Sequence, residues 1–581
     1  MIKTQQNPLS IMRHSCAHVL ATAILQLYPR TKLGIGPAIE NGFYYDFEFE
    51  KPLTEDDFPK IEAEMAKVIK KNYPFIKKSA SIAEAKKIFK NQPYKLELIK
   101  DLEGRGEKKI SLYQSGDFWD LCAGPHLEST GKIGPFKLLS LAGAYWKGNE
   151  KNPMLTRIYG TCFPSQKGLS QYLNQIEEAQ KRDHRLLGKK LDLFSFHPEA
   201  APGDVFWHPK GYFLMRKLIE FWREEHEKAG YVEVRTPEIL KNEIWQQSGH
   251  LKSYAEKMYR ITTPDSKKWN YCVKPMNCNG GMIIYKSKQR SYRDLPLRMG
   301  ELGIVHRYEA SGELHGIIRP REFTQDDAHI YCTPEQIKTE IKKIIDLCFY
   351  FYQTFNLKLD HLELSTRPKK SIGSTKNWQK AERIMKELLD ESNVKYQINK
   401  GEGAFYGPKI DFHLKDSIGR TWQCSTIQLD FAQPENFDLT YTTAKGTKER
   451  PVMIHRVIYG SLERFLGILI ENCLGAFPAW LSPTQAVIIP ITDKQIIYAQ
   501  QVGKKLAKTN IRFEIDNQNQ TASFKIRHAE TQKIPYILVV GDKEIKNKTI
   551  NVRQRGEKIL GEMKVGEWTK KVKEEIKEKN R

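Results

Sequence analysis

Hydrophobic and polar positions follow two rhythms along this chain, and the changes between them mark its parts. Ile11, Ala17, Val19, Leu20, Ile24 and Leu25 recur at helical spacing, and GIGPAIENGFYYDFEF beyond them reads as glycine-punctuated strands. Residues 1–165 are therefore expected to form an α+β unit. The charged, helically spaced run LSQYLNQIEEAQKRDHRLLGKKL ends near LFSFHPEAAPG and predicts a linker helix within residues 166–200. The largest expected domain covers residues 201–475. It opens with a helix near 213–229 and continues through GIVHRYEA, FTQDDAHIYC and TWQCSTIQLDFA, strands joined by short turns that favour an antiparallel sheet. From 476 to 581 strands and helices alternate, as in a small α/β domain, and KKVKEEIKEKNR reads as a solvated or frayed end. The fold class is multidomain α+β.

At 581 residues the chain is too long for one ordinary core. Lys+Arg number 93 against Asp+Glu 70, a formal charge of +23 spread along the chain. Such an excess suits a polyanion partner, and equally a lysine-rich solvated surface. No run of about 18 apolar residues is present, and MIKTQQNPLS lacks the apolar centre of a secretion signal, so a cytoplasmic protein without membrane association is expected. Nine cysteines, irregularly spaced and odd in number, are expected to be reduced thiols.

The clearest chemical feature is a pair of arginine-bearing strands. GIVHRYEA leads through SGELHGIIRP into REFTQDDAHIYC, so a hairpin would bring Arg307 and Arg319 together. Guanidinium forks remain charged and match phosphate oxygens, and GSLERFLGILIE adds a third arginine, Arg464, on a helix. Taken singly, each suits a surface ion pair as well as a nucleotide. Together they resemble the three motifs of class II aminoacyl-tRNA synthetases: YVEVRTPEIL with Pro237, HRYEASGELHGIIRPREF, and GSLERF. The resemblance implies an antiparallel catalytic core at 201–475 and a homodimer formed through the first motif. It also implies ATP with magnesium, Arg307 at the α-phosphate, Arg464 at the γ-phosphate, and Glu309, Arg319 and Gln423 seating the nucleotide. Fixed cations suit a carboxylate attacking the α-phosphorus, where charge builds on the equatorial oxygens.

KPMNC, FTQDDAHIYC, GAFYGPKIDF, TWQCSTIQLDF and MIHRVIYGSLERF narrow the resemblance to the threonyl-tRNA synthetase family, over nearly the whole chain. It implies one zinc per chain on Cys278, His329 and His455, a set too widely spaced for sequence alone to suggest a metal. Blind, the same letters suit a buried thiol and two core histidines. Three protein ligands would leave zinc open to the amino and hydroxyl groups of threonine, with Asp327 accepting from the hydroxyl; valine would leave polar partners unsatisfied. Met276, Gln325, Tyr406, Gln428 and His250 fall on further pocket or catalytic positions. One departure is NCNGGM, where the family more usually has NCPGH.

HSCAHVLA sets His14 and His18 on one helix face, and LCAGPH sets Cys122 and His126 on a turn. Their letters alone suit a zinc site or two unrelated pairs. The resemblance assigns all four, with Asp120 and Lys95, to an editing domain that hydrolyses serine from mischarged tRNA, and leaves a metal there open. Serine keeps the hydroxyl and lacks one methyl, worth only about 1–3 kcal/mol of discrimination, so a second site has a reason to exist. The final domain resembles an anticodon-binding domain, with Asn519, Glu544 and Arg553 on base-reading positions as exposed polar groups. The family's ubiquitin-like domain, which precedes the editing domain, is not covered by the resemblance. An RNA-binding relative without activity and a prolyl-type synthetase are the competing readings. The first would be expected to have lost Arg307, Arg464 or the zinc set. The second gives no reason for the Cys/His/His set.

Overall fold

A helix that is apolar nearly all round must be buried nearly all round, and α1 (Pro8–Leu27) is: every residue from Ser15 to Ile24 is hidden. The Asn7 side chain caps its first turn by accepting from Leu9 N, and Pro8 occupies the position where a missing N–H costs nothing. The structure, a computed structural model, describes residues 7–392 and 394–579. The chain divides into two units, residues 1–178 and 179–581.

In the first unit α1 lies against a twisted antiparallel sheet containing Gly42–Glu48, Phe136–Tyr145 and Met154–Cys162. Its core is formed by Val19, Leu20, Phe43, Tyr45, Phe47 and Ile158. A smaller antiparallel sheet joins Ile76–Ser81 to β1 (Lys109–Ser115) and β2 (Phe118–Leu121), beside helix α2 (Pro93–Gly104). The expected linker helix is two helices, Gln166–Arg182 and α3 (His184–Lys190). Between them Asp183 leaves helical geometry and caps α3 through Arg185 N.

The second unit is organised by an eight-stranded sheet. Its strands are β3 (Leu297–His306), β4 (Glu322–Cys332), β5 (Lys358–Ser365), β6 (Lys409–Lys415), β7 (Thr421–Asp430) and β8 (Val452–Val457), with Val232–Glu233 and Tyr396–Asn399 at the edges. The order is edge, β3, β4, β8, β7, β6, β5, edge. The six inner strands pair antiparallel, and only the edge strands pair parallel. Helix α5 (Leu462–Cys473) and Pro209–Lys228 cover one face, with Leu218, Phe221, Trp222, Phe465 and Leu466 fully hidden. The opposite face is left to polar side chains.

After residue 476 a five-stranded sheet carries helices, as the alternating rhythm predicts; its fourth strand is β9 (Thr549–Gln554), and the short helix α6 (Asp542–Asn547) precedes it. The supposed frayed end is a correction: Val565–Lys577 is a helix, with Trp568 and Val572 fully buried among its lysines. Three apolar residues at helical spacing are enough to dock one face, while the lysines stay in solvent. Residues 580 and 581 of that stretch lie outside the described residues. All nine cysteines are unpaired, as expected. No helix among the described residues is long and apolar enough to cross a membrane.

Candidate functional site

The alternation of β4 sets the first pocket. Gln325, Asp327 and His329 are two residues apart, so their side chains share one face. Register then places His455 of β8 beside His329, and Gln428 of β7 beside His455. Helix α4 (Cys278–Lys286) brings Cys278 to the same cavity of about 360 Å³, whose walls also include Met276, Arg307, Tyr406 and Thr426. Asn277, just before α4, reaches Asp327 at 3.4 Å, and Gly303 allows the approach: a Cβ there would lie 2.1 Å from the Asn277 amide oxygen. The glycines of NCNGGM serve packing too, since a Cβ on Gly280 would fall 2.5 Å from Thr236.

Cys278, His329 and His455 line one cavity, yet their ligand atoms are not drawn together within 4.8 Å as those of three other clusters among the described residues are. Their surroundings nevertheless suit a metal. The Nε2 of His455 donates to the buried Asp430 carboxylate at 2.9 Å, which leaves Nδ1 with its lone pair. Asp430 is itself held by Ala432 N and Gln433 N. Burial pulls His329 down to about 4, so its imidazole is neutral and able to ligate. Burial also pushes the Cys278 thiol up, so a thiolate there calls for a cation. His250 stands behind the cavity, fully buried. Its Nε2 is 3.3 Å from the Met276 sulfur and 3.9 Å from Cys278 Sγ, while Nδ1 meets Ser248. That placement puts it against the cavity wall, beside two of the residues that line it.

A second cavity of about 360 Å³ adjoins through Arg307 and Gln325 and gathers Glu309, Arg319, Gln423 and Arg464. As the hairpin predicts, Arg307 and Arg319 come to one site. Arg319 and Lys257 both hold the Glu309 carboxylate, at 3.1 and 2.9 Å. Although burial opposes its charge, these contacts keep Glu309 below the usual carboxylate range. Arg307 Nε donates to Pro275 O, and its guanidinium lies 5.0 Å from the Phe323 ring. Arg464 sits in the first turn of α5, whose N-cap Ser461 accepts from Arg464 N. Three backbone N–H groups, from Ile458 to Gly460, donate to Asp326 and hold the turn before it. Burial lowers Arg464, and its Nε is hidden without a partner. Lys257, Arg307, Arg319, the buried Arg464 and a helix N-terminus around one cavity suit an anion. Gln423 is fixed by Asp411 and Thr426.

In the first unit, α1 and the turn after β2 meet in a cleft. Cys122 Sγ lies 3.3 Å from His14 Nε2 and 3.3 Å from His126 Nε2, and the His18 ring packs 4.1 Å from that of His126. Tautomers follow from the partners. His14 Nδ1 faces Pro125 O, which can only accept. The Ser15 hydroxyl already donates to Ile11 O, so His126 Nδ1 must donate to it. Both Nε2 lone pairs thus face the thiol. Burial lowers all three histidines and pushes Cys122 up to about 12, giving neutral imidazoles and a protonated thiol. Ligand atoms of all four lie within 4.8 Å of one another, so the set also fits a tetrahedral metal. Beside them Asp120, buried, receives Lys95 Nζ, Tyr45 OH at 2.7 Å and His18 Nε2 at 3.5 Å. All six predicted residues are brought together.

The last domain agrees less well with expectation. Asn519 is exposed. Glu544 is buried and accepts from Gly541 N through one carboxylate oxygen, capping α6, which corrects its expected exposure. Arg553, on β9, is half-buried with Nε lacking a partner. Sequence reasoning missed Asp430, Lys257, Tyr45 and Ser15. Only their neighbours in space, which no local spacing encodes, identify them.

Comparison with known proteins locates this geometry. The family description "tRNA synthetase class II core domain (G, H, P, S and T)" matches residues 259–473, "Anticodon binding domain" 485–575, and "Threonyl and Alanyl tRNA synthetase second additional domain" 110–159. The chain is 54% identical to a protein named threonine–tRNA ligase from Acetivibrio thermocellus, over 98% of this chain and 88% of that one. It is 53% identical to one of the same name from Desulforamulus reducens, over 98% and 89%. Among solved structures, the RNA binding domain of threonyl-tRNA synthetase from Cryptosporidium parvum matches with TM-score 0.64 and 40% identity, covering 68% of this chain and 98% of that one.

Proposed function

Because the chain belongs to the threonine–tRNA ligase family, we propose that its two adjoining cavities form threonyl-adenylate and that its N-terminal cleft clears mistakes. The family activates L-threonine with ATP and magnesium, transfers it to the 3′ end of tRNA(Thr), and edits seryl-tRNA(Thr). The observation that carries the residue assignment is the shared wall: Arg307 and Gln325 border both cavities, so an amino acid in one and a triphosphate in the other meet there.

In this reading Cys278, His329 and His455 hold zinc, which supplies a Lewis acid with an open position for the amino and hydroxyl groups of threonine. Asp327 accepts from the hydroxyl, while Met276, Tyr406 and Gln428 close the pocket. A carboxylate oxygen of threonine bonds to the α-phosphorus, and the bond to the departing pyrophosphate breaks. Arg307 faces the α-phosphate, Arg464 the γ-phosphate, and Glu309 and Arg319 seat the base end. Magnesium would accompany the triphosphate and supply positive charge to it, and Gln423 on the cavity wall offers it an oxygen. The tRNA hydroxyl then attacks the carbonyl carbon and AMP leaves. In the cleft a histidine or Cys122 positions water at the seryl ester; the water oxygen bonds to the carbonyl carbon, the bond to the ribose oxygen breaks, and the water's proton passes to that departing oxygen, giving serine and free tRNA. Lys95 and Asp120 orient His18, and protonated Cys122 shapes the site without acting as nucleophile. Residues 1–165 carry editing, 201–475 synthesis and 476–581 anticodon binding. Two subunits pair through the edge strand Val232–Glu233, where Val232 is exposed, and Ile239 on the next strand is exposed too. The class II core, the Cys/His/His cavity and 53% or greater identity to threonine ligases together favour this over a prolyl enzyme or an inactive relative.

Metal analysis tests the zinc assignment. Purified protein should hold a tightly bound zinc that Cys278→Ser loses together with threonine activation. Asp430→Asn, which removes only the carboxylate behind His455, should weaken zinc roughly 10–100-fold. Full threonine activation by zinc-free protein would refute the assignment.

A further inference from the structure

On the same open face of the sheet as the two cavities, further toward its β5 edge, two histidines that no step of synthesis or editing uses face each other. His361 of β5 and His413 of β6 are direct cross-strand partners, their rings stacked 4.6 Å apart and 5° from parallel. Glu363 sits two residues from His361 on the same face, and each of its oxygens meets one ring: Oε1 lies 3.3 Å from His361 Nε2, Oε2 3.4 Å from His413 Nε2. The ligand atoms of the three lie within 4.8 Å of one another.

Proton bookkeeping shows why the arrangement asks for a cation. His361 Nδ1 is 2.9 Å from Asp360 Oδ2, and its Nε2 faces Glu363, so both ring nitrogens face carboxylate oxygens. A neutral imidazole has one N–H, and its lone pair would then point at an anion. His413 adds a second nitrogen to the same carboxylate. Its Nε2 is buried without a hydrogen bond. Asn399 Nδ2 steadies the carboxylate at 3.3 Å, and Asp360 steadies the His361 ring from behind. A carboxylate behind a histidine, a second histidine and an oriented glutamate form the donor pattern of an open two-histidine, one-carboxylate centre. Strand irregularities flank it: register shifts occur between Leu359 and His361 and between Asp411 and His413. Such bulges re-aim side chains.

The geometry points to a second metal site, at His361, Glu363 and His413, for a divalent transition ion of the zinc class. Imidazole and carboxylate donors select such an ion over magnesium or calcium, which prefer oxygen alone. Bound there, it clips β5 to β6 at a point whose next neighbour across the sheet is Gln423 of the nucleotide cavity.

Cobalt(II) titration of the full-length protein, followed by visible absorption, tests this. The Cys278 cavity and the N-terminal cleft each contain a cysteine, whereas this cluster and the one of Asp183, His184 and Glu471 have no sulfur, and the double variant alters this cluster alone. Wild-type protein should take up one more cobalt per chain than His361→Gln/His413→Gln, and the additional spectrum should show ligand-field bands without a sulfur-to-cobalt charge-transfer band. Asp360→Asn, which leaves all three ligands, should weaken that additional binding roughly 10–100-fold and serves if the double variant fails to fold. Equal cobalt uptake by wild type and a double variant of unchanged thermal unfolding, unchanged affinity in Asp360→Asn, or an additional equivalent that carries the sulfur band would each overturn the proposal.

Discussion

Replacing Arg307 by alanine should lower threonine-dependent adenylate formation by roughly a hundredfold to a thousandfold, the usual cost of removing one fixed donor from developing charge. The folded protein should remain. Arg307 borders both cavities and touches the protein mainly through Pro275 O and the rings of Phe323 and Tyr254, none of which depends on it for burial of charge. The loss should fall on kcat rather than on threonine affinity, because charge on the α-phosphate grows only as the oxygen attacks. Arg464→Ala should act similarly, with an added effect on ATP affinity from its place beside the α5 N-terminus. Pyrophosphate exchange and thermal unfolding measured on the same preparations check this. Parental exchange in a folded Arg307→Ala variant would remove the residue from the reaction.

The second large effect is selective. His18→Ala or Cys122→Ala should leave threonine activation nearly unchanged while serylated tRNA accumulates, because the synthetic cavity reads a hydroxyl that serine shares and a methyl whose absence yields only about 10–200-fold discrimination. If instead these residues only hold the first unit together, their loss lowers its unfolding temperature and leaves no defect specific to serine. Deacylation of purified seryl-tRNA beside thermal unfolding separates the outcomes. A folded His18→Ala, Cys122→Ala double variant that clears seryl-tRNA at the parental rate would end the editing assignment.

How much of this was legible in the letters depended on whether neighbours in space were neighbours in pattern. FTQDDAHIYC alternates, so spacing alone sets Gln325, Asp327 and His329 on one face, and the arginine hairpin follows from its short loop. His14 and His18 share a helix face for the same reason. Register between distant strands is another matter: the pairing of His329 with His455, of Lys409 with Gln428 and of His361 with His413 depends on which strands lie side by side. Asp430 behind His455 gives no local signal at all. The burial of Glu544 was legible, since GDKE offers a carboxylate three residues into a helix, a natural cap. The tail failed because its lysines outnumber the three apolar residues that dock it. For the cysteine and histidines of the zinc cavity, family resemblance supplied what spacing could not.

Amino-acid-dependent exchange of pyrophosphate into ATP, run in parallel with threonine, serine, valine and proline, addresses the central assignment most directly. Strong exchange is expected with threonine, weaker but measurable exchange with serine, and almost none with valine or proline, since valine offers a methyl where the proposed pocket, with Asp327 on its wall, would receive a hydroxyl. Proline-dependent exchange, valine exchange approaching that of threonine, or no exchange with any of the four from folded, zinc-replete protein would contradict it.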